Sequence, residues 1–161
     1  MDFWRNDMDS AVGLIIHHKS IVLVKRQRRE GDPWSGDIAF PGGHVKEGET
    51  AIQGVLREIR EEVSLSFQPD DIVMGLPPTH TMRMPDMPVY PFVIAAASLE
   101  GLAPGPEIYK IRVVGINSGR RIKHPVNGED ALDFDGWIMW GLTYRIFTQF
   151  LSIKEDLGKS M

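Results

Sequence analysis

Apolar residues at the front of the chain bunch into two short β-branched runs, VGLIIH (Val12 to His17) and IVLVK (Ile21 to Lys25), with a His-Lys-Ser turn between them. That pattern predicts a hairpin at the start of a sheet. A polar stretch, KRQRREGDPWSG, follows, and then a second apolar burst, Ile38 to Phe40, which Pro41-Gly42-Gly43 is expected to stop. Beyond Thr50 the period changes. Ile52, Val55, Leu56, Ile59 and Val63 recur at helical spacing, and Thr50 with Gln53 makes a capping box, so a helix is predicted from about residue 51 to about residue 63. Ile72 to Met74, Val89 to Ala97, Ile108 to Ile116 and Gly136 to Met139 read as further strands, the first two separated by a Met- and Pro-rich loop. Leu142, Ile146, Phe147, Phe150 and Ile153 then predict a C-terminal amphipathic helix. Strands and helices mix without regular βα alternation. The expected class is therefore α/β, a mixed sheet covered by helices on two sides.

Composition narrows this picture. A chain of 161 residues, 42% hydrophobic and 25% charged, has the size and apolar content of one domain, so residues 1–161 are read as a single unit, with residues 1–10 as a polar arm. Phe3 and Trp4 on that arm suit docking on a second subunit, which makes a homodimer an expectation. A net charge of −4 argues against a general nucleic-acid or anionic-membrane binder. With no cysteine, disulfides, thiolate metal sites and a cysteine nucleophile are excluded. No apolar run approaches membrane-span length and the first residues do not resemble a signal peptide, so a soluble, cytoplasmic protein is the expectation.

The predicted helix carries the candidate chemistry. With Glu58 set at zero on a wheel of about 100° per residue, Glu61 falls at about −60° and Glu62 at about +40°, beside an apolar arc from about 60° to 160°. Like charges three and four residues apart repel, so a chain that holds them against a buried stripe is expected to neutralise them with a cation. Oxygen-only ligands suit a hard divalent ion, Mg²⁺ or Mn²⁺, rather than zinc. Lys25, Arg26, Arg28 and Arg29 are either solvated hairpin charges or, beside the following loop, groups that grip phosphates. Trp34 is either a packing residue or a stacking platform, and Arg83 with three methionines in the loop from Thr79 to Pro88 suits an adaptable substrate wall. His17, His18, His44, His80 and His124 show no ligand spacing.

Gly43, Glu49, Arg57, Glu58, Ile59, Glu61, Glu62 and Leu65 fit the pattern G-x5-E-x7-R-E-U-x-E-E-x-G-U, where U is a bulky aliphatic residue, and on these residues the chain resembles the Nudix hydrolase family. Ser64 stands where the pattern has its last glycine, and the turn after the helix is expected to differ there. Outside the box, Gly36, Phe40, Pro41, Gly42 and Gly43, then Gly75-Leu76-Pro77-Pro78, Val89-Tyr90-Pro91-Phe92-Val93 and Met139-Trp140-Gly141-Leu142-Thr143, are similar to the branch containing coenzyme A diphosphatases. The chain departs from that branch upstream. It has Arg26-Gln27 where an Arg-Ser pair is usual, and Trp34-Ser35-Gly36-Asp37 where a His-x-Gly-Gln step is usual.

The resemblance implies a Nudix-type α/β/α sandwich with a mixed β-sheet. It also implies Mg²⁺- or Mn²⁺-dependent attack of water on a pyrophosphate in a nucleoside diphosphate linked to another group. Coenzyme A or a derivative is the leading substrate, with ADP-ribose and nucleoside triphosphates as rivals. A ligand-binding module without catalysis is the rival of another class. By motif position Glu58 and Glu62 are metal ligands with the Gly43 carbonyl, and Glu61 shares a metal or positions water. Glu58 is the first choice of general base, though that role can fall on an acid outside the box: Glu107, Asp130 and Asp133 are the alternatives. Arg57 is expected to orient a carboxylate, and Glu49 to reach Arg57 or a bound water. The partner implied is a small nucleotide, not a nucleic acid or a membrane.

Overall fold

The structure, a computed structural model, describes residues 9–28, 30, 37–80 and 87–160, with side chains as far as residue 155. The expected hairpin is present as β1 (Ser10–His17) and β2 (Ser20–Arg26), closed by His18 and Lys19. β3 (Ile38–Ala39) pairs with the far end of β2. β4 (Gly42–His44) is a correction: Pro41-Gly42-Gly43 does not end the strand region but begins a short strand antiparallel to β1. Glycine permits this because the pairing is close. A Cβ on Gly42 would lie 2.2 Å from the Ala11 carbonyl oxygen.

Helix α1 (Ala51–Val63) has the predicted bounds. Its capping box is complete, with the Gln53 N–H donating to Thr50 Oγ1 and the Thr50 N–H to Gln53 Oε1. A single 3-10 turn (Pro69–Asp71) leads into β5 (Ile72–Gly75), β6 (Thr79–His80), β7 (Pro88–Ala95) and β8 (Ile108–Gly115). β1 lies parallel to β7 and antiparallel to β2, so the large sheet is mixed. β5 pairs with Phe92 to Ile94 and β6 with Pro88 and Val89, leaving Pro91, which has no N–H to give, at the changeover between the two partners.

A second sheet of three strands, β9 (Arg120–Lys123), β10 (Asp130–Phe134) and β11 (Trp137–Met139), precedes helix α2 (Gly141–Ser160). Of its strands only β11 was expected. One face of the large sheet packs Ala11, Ile15, Val22, Val24 and Ile94 against Val55, Ile59 and Val63 of α1. The other face packs Leu14, Ile21, Leu23 and Val93 against Phe134 and Trp137 of the small sheet and Ile146, Phe147 and Phe150 of α2. Helices cover both faces as expected, and on the α2 side the small sheet shares the work. Ile59 is wholly buried, so Ile59→Ala is expected to cost about 2–5 kcal/mol.

The end of α1 reports on Ser64. This residue takes the left-handed conformation that glycine adopts most easily, with φ 66°, so the turn is made at a serine's higher backbone cost. The hydroxyl offsets part of the strain by donating to the Ala103 carbonyl at 2.9 Å. The Ala103 and Gly105 N–H groups donate to the Val63 and Glu62 carbonyls, and a Cβ on Gly105 would lie 1.9 Å from the Glu61 carbonyl oxygen. Residues 103–105 thus form a strap across the last turn of α1.

Candidate active site

Arg57 is the hub of α1. Its Nε donates to Glu49 Oε2 at 2.7 Å and Nη2 to Glu49 Oε1 at 3.0 Å, a bidentate clamp. Nη1 donates to Glu58 Oε1 at 3.0 Å and Glu61 Oε2 at 3.2 Å, and Nη2 also to the His44 carbonyl at 3.0 Å. A guanidinium has five N–H groups, and all are used within the protein. The Arg57 hydrogen bonds hold the Glu49 carboxyl below the usual carboxylate range and raise the Arg57 pKa further.

Glu62 sits differently. It is 4% exposed; Oε1 accepts from the Gly42 N–H at 3.2 Å, while Oε2 is buried without a hydrogen-bond partner among the described residues. Burial pushes its carboxyl up to about 8; the Arg26 charge and the Gly42 N–H pull it back, and Glu58 adds to the rise. The Glu58 carboxylate lies on Gly43, where a Cβ would come within 2.7 Å of its carbon and 2.9 Å of each oxygen. Glycine is therefore required for this approach.

Glu58 stands between the other two acids: it meets Glu62 beside Gly42-Gly43 and shares Arg57 Nη1 with Glu61, whose side chain is 53% exposed. Among the described residues no three acidic or histidine side chains are arranged to hold a metal ion. The residues nevertheless fit a hard cation. The donors are carboxylate oxygens, one of them buried and unsatisfied, and a bare glycine backbone lies against them.

Arg26, at the end of β2, is 3.9 Å from Glu107 and close enough to Glu62 to act on its charge. Glu107, in the turn just before β8, is thus brought to this corner of the site. Asp130 and Asp133 lie on β10 of the small sheet, paired with Lys123 and Arg120. Arg28 is exposed beyond β2. Arg29, Trp34 and Arg83, together with Phe3 and Trp4, lie outside the described residues. An open pocket lined by Thr79, Arg145 and Gln149 lies between β6 and α2, away from the carboxylates. Sequence reading missed two backbone contributors, the Gly42 N–H on Glu62 and the His44 carbonyl on Arg57. Their signal is positional only, since any residue supplies such a group.

A sandwich with these carboxylates on the helix after a Gly-Gly strand defines a class of domain, and the chain belongs to the NUDIX domain family, whose model matches residues 8–123. Curated relatives match over shorter stretches. An ADP-ribose pyrophosphatase of Methanocaldococcus jannaschii is 43% identical over 53 residues, 33% of this chain and 30% of that one. An RNA pyrophosphohydrolase of Hydrogenovibrio crunogenus is 43% identical over 65 residues, 40% of this chain and 36% of that one. An 8-oxo-dGTP diphosphatase of Escherichia coli is 34% identical over 58 residues, covering 36% and 44%. The matched stretch thus spans less than half of each of these relatives. Among solved structures, a MutT/nudix family protein from Enterococcus faecalis superposes with a TM-score of 0.64 at 16% identity, over 91% of this chain and 62% of that one. Such a likeness concerns the fold alone. Among the described residues no helix is long and apolar enough to cross a membrane.

Proposed function

We propose that this protein hydrolyses a phosphoric anhydride in a nucleoside diphosphate linked to another group, with Mg²⁺ or Mn²⁺ held by Glu58, Glu62 and the Gly43 carbonyl. The observation that carries this reading is the buried Glu62 oxygen left without a partner beside Glu58 and the Gly42-Gly43 backbone. Burying a carboxylate so is costly unless a proton or a cation neutralises it, and the oxygen donors set against a bare glycine backbone suit the cation. When bound, the ion would shield the pyrophosphate and make water more acidic. Glu58 is the proposed general base. It takes the proton as the water oxygen bonds to phosphorus and the bridging P–O bond breaks toward the leaving phosphate. Arg57 is a positioning residue: its donors are spent on Glu49, Glu58, Glu61 and His44, so it fixes the carboxylates and does not bind substrate. Glu61, the more exposed of the three, is placed to orient water or share an ion. Arg26 is the described basic residue best placed to meet a phosphate.

Coenzyme A or a derivative remains the leading substrate, on the strength of the Gly36 to Gly43 lead-in and the Pro-containing segments around Leu76 and Pro91. A second reading, ADP-ribose, is favoured by the archaeal relative. A cytoplasmic homodimer acting on a small molecule completes the proposal. The test is a panel of coenzyme A, ADP-ribose, 8-oxo-dGTP, nucleoside triphosphates and a 5′-triphosphorylated RNA, each with Mg²⁺ or Mn²⁺, products identified by mass, with Glu62→Gln in parallel. Release of an adenosine 3′,5′-bisphosphate from coenzyme A by the wild type alone is the expected result. Turnover of triphosphates only would end the coenzyme A reading, and equal activity in both proteins would end the catalytic one.

A further inference from the structure

The pairing of β2 with β8 breaks register at its site end: Lys25 is opposite Lys110 and Arg26 is opposite Ile108, so Tyr109 is the extra residue of a β-bulge. Bulges of this kind redirect a side chain and are frequent next to active sites. Ile108 is buried in the cluster that packs under α1, while Tyr109, next to it, is 63% exposed. An exposed aromatic ring of this size on a strand is a surface with an unused apolar face.

The neighbours of the bulge belong to the candidate site. The strap of residues 103–105 is hydrogen-bonded to the last turn of α1, and two residues on Glu107 reaches Arg26, whose charge acts on Glu62. The Gln27 N–H donates to the Glu107 carbonyl at 2.9 Å and fixes the approach to the bulge. Tyr109 is therefore carried on a short, tethered segment between the metal-ligand helix and the basic end of β2.

We infer that Tyr109, set out by the β8 bulge beside Arg26 and Glu107, is a specificity-determining residue whose ring stacks on the planar base of the nucleotide substrate. This rests on the proposed function for the site and adds to it the side chain that meets the base of the nucleoside. Stacking is tolerant of base identity, because every base has a π-face. The residue thus selects for the presence of a base rather than for one base over another.

The test compares wild type, Tyr109→Ala and Tyr109→Phe on the best substrate of the panel and on inorganic tripolyphosphate, which has no base. Binding of AMP is measured alongside by calorimetry, so that a readout exists whether or not turnover is seen. Expected is a loss of about tenfold in AMP affinity in Tyr109→Ala, recovered in Tyr109→Phe. In parallel, KM for the base-bearing substrate rises by a similar factor while the two substrates' kcat/KM values converge. Unchanged AMP affinity in Tyr109→Ala overturns the assignment, as does an equal loss on tripolyphosphate, which would show a merely structural role. A wild type that binds AMP through Tyr109 yet hydrolyses nothing would remove the catalytic reading and leave the stacking site in place.

Discussion

Glu49 and Glu62 are the same side chain on the two flanks of one helix, and their surroundings drive them in opposite directions. Glu49 is clamped by two nitrogens of Arg57 and held below the usual carboxylate range, in a network whose donors are all matched within the protein. Glu62 is sealed under the helix with one oxygen bonded to the Gly42 N–H and the other to nothing described. The first environment is finished by the chain itself. The second leaves a buried oxygen without a partner among the described residues, and the proposed function places a cation there.

The largest effect that sharpens this contrast is on turnover. Glu62→Gln keeps the shape and removes the charge, so kcat/KM is expected to fall about 10²–10³-fold while the fold is kept, as assayed on the best substrate with Mg²⁺ and followed by circular dichroism. A loss of less than about tenfold would mean that Glu62 is a structural acid.

Next comes Arg57→Ala, which strands Glu49 and Glu58 and the His44 carbonyl and is expected to cost about 2–3 kcal/mol in urea unfolding; the Glu61 bond adds little because that side chain is exposed. Arg57→Lys should recover only part, since an ammonium cannot reproduce the clamp on Glu49. Full recovery by lysine would break the claim that Arg57 acts through its bidentate clamp on Glu49.

The two acids also give opposite pH signatures. The Glu62 carboxyl is raised from 4.5 to about 8, so between those values the folded state keeps a proton that the unfolded state has shed, and stability falls as pH rises. In a chelator the urea midpoint should therefore drop from about pH 5 to about pH 8, and Glu62→Gln should flatten the profile. Added Mg²⁺ should help more at the upper end. The Glu49 contribution, from a lowered carboxyl, is present above its ordinary 4.5 and lost as pH falls through its lower folded value.

The smallest effect concerns Ser64. Ser64→Ala keeps the left-handed strain and loses the bond to Ala103, for about 1 kcal/mol of destabilisation by thermal melting. Ser64→Gly relieves the strain and loses the same bond, so its melting temperature should be nearly that of the wild type.

Local signals made much of this legible. Thr50, Gln53 and the spacing of Val55, Ile59 and Val63 specify α1, because capping and amphipathicity act within a few turns. The wheel grouped the three acids on one face beside the apolar arc, and the fold grades that face, with Glu62, nearest the arc, buried and Glu61, farthest from it, exposed. β9 and β10 were not legible. RRIK has little apolar content, and the apolar residues of DALDF neither alternate nor include a β-branched side chain; the two strands are held by pairing with each other and by burial of Ala131, Leu132 and Phe134. Gly42-Gly43 misled for a physical reason, since the absence of side chains that marks a turn also allows a strand to lie close against β1. The meeting of Arg26 with Glu107 depends on a β2–β8 pairing between residues far apart in sequence, for which no short-range pattern exists.

The strap at residues 103–105 has a mechanical consequence. Gly105 fits against the Glu61 carbonyl with no room for a side chain, and its own N–H is spent on Glu62. The backbone that bears two of the acids is thereby riveted to the segment that delivers Glu107 and Tyr109. The end of α1 and the entry to β8 are thus tied at one place by the backbone bonds of Ala103 and Gly105 and by the Ser64 hydroxyl.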